Sequence, residues 1–542
     1  MLRPFLACVP TLVAVCPFSQ AQIRFLDVTS GCGLVYDYDR EGSVTVGDYD
    51  NDGWLDVLVT GDDQTGIQLF RNNGDKTFSN VTAATLPPVP LDAHMGLFAD
   101  LDNDGDEDLL LGIRYAHNDS ALALLINDGG LFHFTPQDLG FTRHLSRVGG
   151  IPVGDLDRDG DLDVILTHKT GPNFYLRNDG VTQLVDQTAA FGARLDLSAR
   201  SMATVIVDMN GDQIPDVYAA VDFGGNYYAV STPAGQHVWD PREYGGGGGG
   251  SDMGVAVGDC DNDGDMDLFV TNIGDNPLYM NDGTGRLTNQ AVARGVQFNG
   301  HYGVGWGAIF GDLDHDMDLD LAFVTTNIPW GSLFENDGSG HFSDVTAGSE
   351  LWLQGRGLAL FDYDRDGDLD LLKGDLDGGP ILYENVTPVL GERHWLIVEL
   401  SGVESNLAGI GARVQARAAG VTQTREILSA DSFLTGPPKY AHFGLGAAAR
   451  VERLQIEWPS GATQILRDVE ADRYLTVVEQ RCQGDVNADQ RVDLLDLAAF
   501  LSAFGSCEGE PGYDPGADTN LDGCVGLADL ETLLEAFGRI CL

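Results

Sequence analysis

The sequence predicts a mainly β protein: a seven-bladed β-propeller, then a small β-domain, then a small α-helical pair. Three observations predict it. A nine-residue acidic loop recurs seven times at intervals of 50 to 55 residues, short strand-like runs surround every copy, and the pattern changes character twice after residue 388. Four short strands per repeat at this period are the signature of propeller blades.

The first unit displays the pattern in full. Ser43 to Gly47 reads as a strand, the acidic loop follows, Leu55 to Gly61 is a second strand and Ile67 to Arg71 a third. Asn72-Asn73-Gly74-Asp75 then turns the chain into Thr77 to Thr82. The same turn returns as Asn127-Asp128-Gly129, Asn178-Asp179-Gly180, Asn281-Asp282-Gly283 and Asn336-Asp337-Gly338. The seventh unit supplies Gly357 to Phe361, Leu369 to Lys373 and Ile381 to Glu384 but has no fourth strand of its own. Phe25-Leu26-Asp27-Val28-Thr29 resembles Phe342-Ser343-Asp344-Val345-Thr346, the fourth strand of the sixth unit, so the N-terminal segment is expected to complete the seventh. Such closure removes edge strands that an open array would expose.

Each loop places oxygen ligands at positions 1, 3, 5 and 9. They are Asp48, Asp50, Asp52 and Asp56; Asp100, Asp102, Asp104 and Asp108; Asp155, Asp157, Asp159 and Asp163; Asp208, Asn210, Asp212 and Asp216; Asp259, Asp261, Asp263 and Asp267; Asp312, Asp314, Asp316 and Asp320; and Asp362, Asp364, Asp366 and Asp370. Carboxylates on alternate residues of a tight loop repel one another unless a cation lies between them. An oxygen-only cage suits a hard divalent ion such as Ca²⁺. In the first copy the carbonyl of Trp54, at position 7, is the expected backbone ligand, and Gly53 fits a left-handed turn. Gln213 and Met317 stand where the other copies have that glycine, so the fourth and sixth sites are expected to bind more weakly. About seven structural Ca²⁺ ions are expected in the propeller. The repeats resemble the FG-GAP, or VCBS, repeats of integrin α-subunit propellers and many exported bacterial proteins, over about residues 22–388. That resemblance implies a calcium-stabilised propeller, usually a binding scaffold, with some members acting as polysaccharide lyases.

Composition narrows the partners. The net charge of −52 argues against nucleic acid or an anionic membrane surface as partner, because either would repel the chain, while 43% hydrophobic residues are enough for packed cores. Residues 1–21, with Arg3, an apolar run and Ser19-Gln20-Ala21, read as a signal peptide, which implies secretion or the cell surface. No other stretch is long enough and apolar enough to span a bilayer. Cys8 and Cys16 would leave with the signal, and Cys32 and Cys260 read as buried thiols in different blades. Cys482, Cys507, Cys524 and Cys541 read as two disulfides with three possible pairings.

Residues 389–480 alternate as strands without an acidic loop and are expected to form a separate small β-domain. Asn406-Leu407-Ala408-Gly409-Ile410-Gly411-Ala412-Arg413, His442-Phe443-Gly444-Leu445-Gly446 and Trp458-Pro459-Ser460-Gly461 resemble the ASPIC/UnbV module of cartilage acidic protein and its bacterial relatives. In residues 481–542, one loop carries Asp485, Asn487, Asp489, Asp493 and Asp496, and a second carries Asp518, Asn520, Asp522, Gly523 and Asp529. Helix-like runs follow, Leu494 to Phe504 and Leu527 to Phe537. This arrangement resembles a type I dockerin with EF-hand-like loops, departing from it at Gln490 and Gly526. The resemblance implies up to two further Ca²⁺ ions and a cohesin-domain partner read by Leu494, Leu495, Leu527 and Ala528.

Together these features read as a noncatalytic binding or adhesion module for an extracellular glycan or protein. The alternative is a polysaccharide-active enzyme, a lyase or glycoside hydrolase. The candidate catalytic residues for that alternative are His144 and His301, each 11 residues before an acidic loop, with His94, Arg147, Tyr302 and Trp306 in equivalent segments. The hexaglycine Gly245 to Gly250 reads as a mobile loop leading into the fifth blade.

Overall fold

The computed structural model describes residues 22–36, 43–61, 66–87, 93–113, 122–134, 146–179, 184–192, 195, 200–232, 236–239, 241–248, 250–296, 303–326, 331–375, 379–388, 391–480, 484–487, 491–507, 512–514, 516–519 and 523–538. The signal segment, His144, His301, Tyr302, Asp489, Asn520, Asp522, Cys482 and Cys541 lie outside them.

The acidic repeats fold as successive antiparallel sheets of four strands. The first comprises Ser43–Gly47, Asp56–Thr60, Ile67–Asn72 and Phe78–Asn80, and the same meander recurs from Ala93–Ala99, Ser146–Gly150, Ser201–Val207, Asp252–Gly258 and Val304–Gly311 onward. The last such sheet combines Leu358–Phe361, Asp370–Gly374 and Pro380–Asn385 with the N-terminal strand Phe25–Asp27, which pairs antiparallel with Pro380–Asn385 as the sequence pattern predicts. In every sheet the position-9 aspartate opens the second strand and pairs with the residue just before the acidic loop, as in Gly47↔Asp56 and Ala99↔Asp108. The loop is thus the connection of a hairpin, and its carboxylates gather at one end of the sheet.

Alternation along these strands buries apolar faces between consecutive sheets. Leu58, Leu69, Phe98, Leu109, Leu125 and Phe132 fill the space between the first and second, and Phe269, Phe310, Phe323 and Phe334 that between the fifth and sixth. Each buried side chain of this size contributes roughly 1.5–3 kcal/mol. The first strand of each sheet lies against the first strand of the next, and Leu358–Phe361 lies against Ser43–Gly47. Glycine permits that approach: a Cβ on Gly149 would stand 2.1 Å from the Ser201 carbonyl oxygen, and one on Gly254 2.0 Å from that of Trp306.

The region after residue 390 forms a three-stranded sheet (Tyr440–Gly446, His394–Ser401, Arg473–Val478) and a four-stranded sheet (Val421–Glu426, Arg413–Ala418, Arg450–Glu457, Thr463–Glu470). These sheets contain only strands of this region, yet the region also makes contacts with the repeats. Between its strands, residues 429–436 enter the space where the first strands converge. Ser429 Oγ donates to the Val153 carbonyl at 2.6 Å, Ser432 exchanges both backbone hydrogen bonds with Val255 at 2.7 and 3.1 Å, and Thr435–Gly436 pairs parallel with Val44 and Thr45. The Leu358 N–H donates to Thr435 Oγ1 at 3.3 Å, and the buried Phe433 ring lies 4.9 Å from that of Trp306. The hydrogen bonds and ring contact just named therefore join this one segment to five of the sheets.

The hexaglycine also departs from the sequence reading. The Gly246 carbonyl accepts the Tyr218 hydroxyl at 2.9 Å, that of Gly247 accepts the Asn226 N–H at 2.8 Å, and a Cβ on Gly245 would meet the Leu287 carbonyl oxygen at 2.2 Å. These glycines serve close packing. At the C-terminal end, helices Leu494–Ala503 and Leu527–Ala536 bury Val492, Phe500, Val525 and Leu533 between them. Cys507 bonds Cys524, and Cys32 and Cys260 are buried free thiols.

Candidate metal centres

The loop geometry follows from its backbone. Asp48, at position 1, accepts the N–H groups of Asp52 and Gly53 at 3.0 and 2.8 Å, and Asp52 accepts that of Trp54 at 2.9 Å. Asp56, at position 9, accepts the N–H of Tyr49 at 3.3 Å and of Asn72 at 2.7 Å. Positions 4 and 6 are left-handed in all seven copies. Gln213 (φ 63°) and Met317 (φ 81°) hold this conformation despite their side chains, against 85° for Gly53. The loop path thus survives both substitutions, at a steric cost that glycine avoids.

These turns bring carboxylates together. Asp48, Asp50 and Asp56; Asp100, Asp102 and Asp108; Asp155, Asp157 and Asp159; Asp259, Asp261 and Asp263; and Asp312, Asp314 and Asp316 each offer ligand atoms within 4.8 Å of one another. Several of their oxygens are buried with no hydrogen-bond donor: Oδ1 of Asp50, Asp102, Asp259, Asp261 and Asp314. Four of those five are at position 3, whereas in the seventh loop the position-3 Asp364 accepts the Asp366 N–H at 3.2 Å. A buried, unpaired carboxylate oxygen is costly unless a cation meets it. The clusters could therefore hold metal ions, and their all-oxygen donor set is consistent with calcium.

Burial also raises the affinity of these groups for protons. It pushes Asp48 and Asp100 up to about 6, Asp155 and Asp259 to about 7, Asp163 and Asp267 to about 8 and Asp56 to about 9. A divalent ion would reverse that preference by stabilising the charged form.

The fourth loop differs from the others. Asn210 Nδ2 donates to Asp212 Oδ2 at 3.2 Å and to the Ser231 carbonyl at 3.1 Å, and Ser231 Oγ donates to Asp212 Oδ1 at 3.1 Å. Here the protein supplies donors where other loops leave oxygens bare. In the seventh, Lys76 forms ion pairs with Asp364 and, at 2.8 Å, with Glu384. In the C-terminal pair, Asp496 accepts the N–H groups of Val486, Asn487 and Asp493 at 2.8, 3.1 and 2.7 Å, and Asp529 accepts that of Gly526 at 2.8 Å. These two aspartates cap their helices. Asp493 accepts the Leu495 N–H at 2.7 Å, and Asp518 accepts that of Gly523 at 2.9 Å. Asp485 and Asn487 fall in the chain just before the first helix.

Two features carry the site beyond what the motif suggests. The first is the turn asparagine. Asn127 Nδ2 donates to the Tyr49 carbonyl in the preceding loop at 2.7 Å and to that of Glu107 at 3.0 Å. Asn72, Asn178, Asn281, Asn336 and Asn385 reach the carbonyls of Tyr363, Leu101, Met209, Cys260 and Leu313 in the same way. Each acidic loop but the third is thus fastened by an asparagine from the following sheet; the fourth sheet carries Ser231 instead. The periodic return of this asparagine was the available signal, and it also marks an ordinary turn.

The second feature is the cover over the acidic end of the sheets. The Tyr474 hydroxyl donates to Asp362 Oδ2 at 2.9 Å, Glu426 Oε1 accepts the Asp208 N–H at 3.0 Å, and Arg393 lies 3.0 Å from Asp314 Oδ2. The Arg425 guanidinium draws Asp259 and Asp312 down against the burial that raises them. The Nε2 atoms of His315 and His442 donate to the same Gly367 carbonyl at 3.1 and 2.9 Å. The β-module after residue 390 therefore sits on the acidic loops, with cations and hydroxyls turned toward them.

Of the catalytic candidates, only His94 and Trp306 have side chains among those described. His94 is buried, with Nε2 2.8 Å from the Val148 carbonyl. Trp306 is buried between Arg356, 4.0 Å from its ring centre, and Phe433, and donates to Thr326 Oγ1 at 2.7 Å. No helix among the described residues is long and apolar enough to cross a membrane.

Comparison with known proteins agrees with this architecture. FG-GAP-like repeats match residues 48–111, 100–166, 155–219, 208–270, 259–323 and 312–372, more than half of the chain, and an ASPIC and UnbV domain matches residues 402–484. Mouse cartilage acidic protein 1 is 26% identical over 269 residues, 43% of this chain and 41% of the relative; the human protein is 25% identical over 270 residues, 43% and 40%. The chain thus spans about two fifths of the length of these curated relatives. Among solved structures, an Agrocybe aegerita lectin that recognises non-reducing terminal N-acetylglucosamine aligns with TM-score 0.40 and 17% identity, over 57% of this chain and 80% of its own. A rhamnogalacturonan lyase from Bacillus licheniformis gives 0.36 and 13%, over 72% and 78%, and a cohesin–dockerin complex from Acetivibrio cellulolyticus gives 0.17 and 17%, over 27% and 97%. Likenesses this weak say nothing about ligand or activity. The family matches do decide the matter of kinship: this chain belongs to the FG-GAP-like repeat family and carries an ASPIC and UnbV domain behind its repeats.

Proposed function

We propose that the protein is a secreted, noncatalytic binding or adhesion module for an extracellular glycan or protein, built on a calcium-clipped, seven-bladed propeller. Closure of the ring is supported by contacts between the last and first repeats: Asn72 donates to the Tyr363 carbonyl at 2.8 Å, and Arg365 Nη1 to that of Gly53 at 2.7 Å. Calcium, about one ion per loop, is supported by the donorless oxygens at position 3. The Cys507–Cys524 disulfide suits an oxidising, extracellular setting. The dockerin-like tether is supported by Leu494, Leu495 and Leu527, which stand 71, 61 and 74% exposed on the two C-terminal helices, as a cohesin-facing surface requires.

The observation that carries the noncatalytic reading is the filling of the axial space by residues 429–436. Phe433 is fully buried there against Trp306 and the β-module is seated on the acidic loops, which favours ligand contact on the outer surface. The test is incubation of the intact chain with acidic polysaccharides in calcium, followed by ultraviolet absorbance of unsaturated ends and by reducing-end release. The expected result is no turnover. Sustained product formation, abolished by His144→Ala or His301→Ala, would replace this reading with the lyase.

A further inference from the structure

We propose that the fourth acidic loop takes no ion: donors of the protein itself hold it, so it stays closed, with the β-module seated on it, whatever the calcium concentration. The proposal rests on the calcium reading above and sets one loop apart from it.

The loop lacks one charge. Asn210 stands at position 3, where the other six loops have aspartate, leaving three carboxylates instead of four. Affinity in oxygen cages of this kind follows the number of charged ligands. An asparagine can still offer its oxygen to an ion, but this one is turned away from that role. Its Oδ1 accepts the Asp212 N–H at 3.0 Å, while Nδ2 donates to Asp212 Oδ2 at 3.2 Å and to the Ser231 carbonyl at 3.1 Å. Flipping the amide would set its oxygen against that carbonyl and that carboxylate, and its NH2 against an N–H, so its partners fix its orientation. Ser231 is itself a departure from the pattern, standing where the other six sheets place an asparagine.

The remaining oxygens are also accounted for. Asp208 Oδ1 accepts the Gly211 N–H at 2.8 Å, and its Oδ2 that of Gln213 at 2.9 Å. Asp212 Oδ1 accepts the Ile214 N–H at 3.0 Å, and the two oxygens of Asp216 accept those of Ser231 and Met209 at 2.5 and 2.9 Å. Every side-chain oxygen at positions 1, 3, 5 and 9 thus has a donor. In the first, second, fifth and sixth loops, by contrast, position 3 keeps a bare, buried Oδ1 on Asp50, Asp102, Asp261 and Asp314. Positive charge is supplied as well. Burial raises Asp208 and the Arg413 guanidinium draws it back down; a Cβ on Gly211 would lie 3.9 Å from Arg413 Nη1. An ion entering here would have to expel the Asn210 amide and approach that cation, breaking hydrogen bonds already made.

The loop is held from two sides. Asn281 of the fifth sheet donates to the Met209 carbonyl at 2.7 Å, and Glu426 of the β-module accepts the Asp208 N–H at 3.0 Å. Neither contact needs a metal, so the seam between the fourth and fifth sheets and the seat of the β-module there persist without calcium.

Hydrogen exchange of the intact protein in calcium and in EDTA tests this, because residues 48–56 and 208–216 carry equivalent N–H groups from positions 5, 6 and 7. Residues 48–56 are expected to exchange at least about tenfold faster in EDTA, and residues 208–216 to change less than about twofold. Variants at the same loop position give a second readout. At a free calcium concentration that just saturates the parent, native mass spectrometry is expected to count one ion fewer in Asp52→Ala and the parent's number in Asp212→Ala. An ion lost from Asp212→Ala, or residues 208–216 loosening in EDTA while the protein stays folded, would overturn the proposal. A parent that holds no calcium would reject the calcium reading itself, and with it the contrast between the loops.

Discussion

The side-chain amide of Asn127 satisfies two buried carbonyls on two different sheets, that of Tyr49 at 2.7 Å and that of Glu107 at 3.0 Å, while its Oδ1 accepts the Gly130 N–H at 2.9 Å. Removing it leaves three buried polar groups without partners. Asn127→Ala is therefore expected to destabilise the protein by about 2–4 kcal/mol, read as a lower urea midpoint. A loss under about 0.5 kcal/mol would show that the asparagine only shapes its turn. This double duty explains why its role was not legible in the sequence. Asn-Asp-Gly is a sufficient local signal for a tight turn, and nothing local reveals that the amide reaches a loop more than 70 residues away. The position-3 aspartates were legible, because the demand for a cation arises from spacing within a single loop.

At the scale of elements, strands and acidic loops follow from short-range patterning, and even the borrowed strand Phe25–Asp27 could be matched to its equivalent, Phe342–Asp344. The segment 429–436 could not. Its residues, from Ser429 to Gly436, read as an ordinary connection, and its place is set by carbonyls on sheets hundreds of residues earlier. The packed hexaglycine was misread for the same reason: glycine signals freedom locally, whereas here it permits backbones to touch. Within the inserted segment lies Asp431, which burial pushes from 3.8 up to about 8. Its folded state holds a proton that the unfolded chain releases above pH 4, so the stabilisation is full below that pH and is lost as pH rises toward and through 8. Asp431→Asn should remove this dependence. With calcium held saturating, the stability of the parent is expected to fall relative to the variant between pH 5 and pH 9, by roughly a few kcal/mol in total. Parallel stability profiles across that range would show that Asp431 is not protonated in the folded protein.

Across the whole molecule, the acidic loops, the asparagine ties and the β-module act on the same end of the sheets. Each loop concentrates carboxylates that the fold buries, the next sheet holds the loop in place, and Arg393, Arg425 and Tyr474 close over it. An ion bound in these loops would stabilise the folded chain by mass action, because the unfolded chain has no preformed cage. The most direct test of this account is thermal unfolding of the intact protein in millimolar calcium and in excess chelator, together with elemental analysis of the dialysed protein. Several calcium ions per chain and a melting temperature that climbs steadily with free calcium are expected. The same melting temperature in calcium and in chelator, with no metal bound, would contradict it.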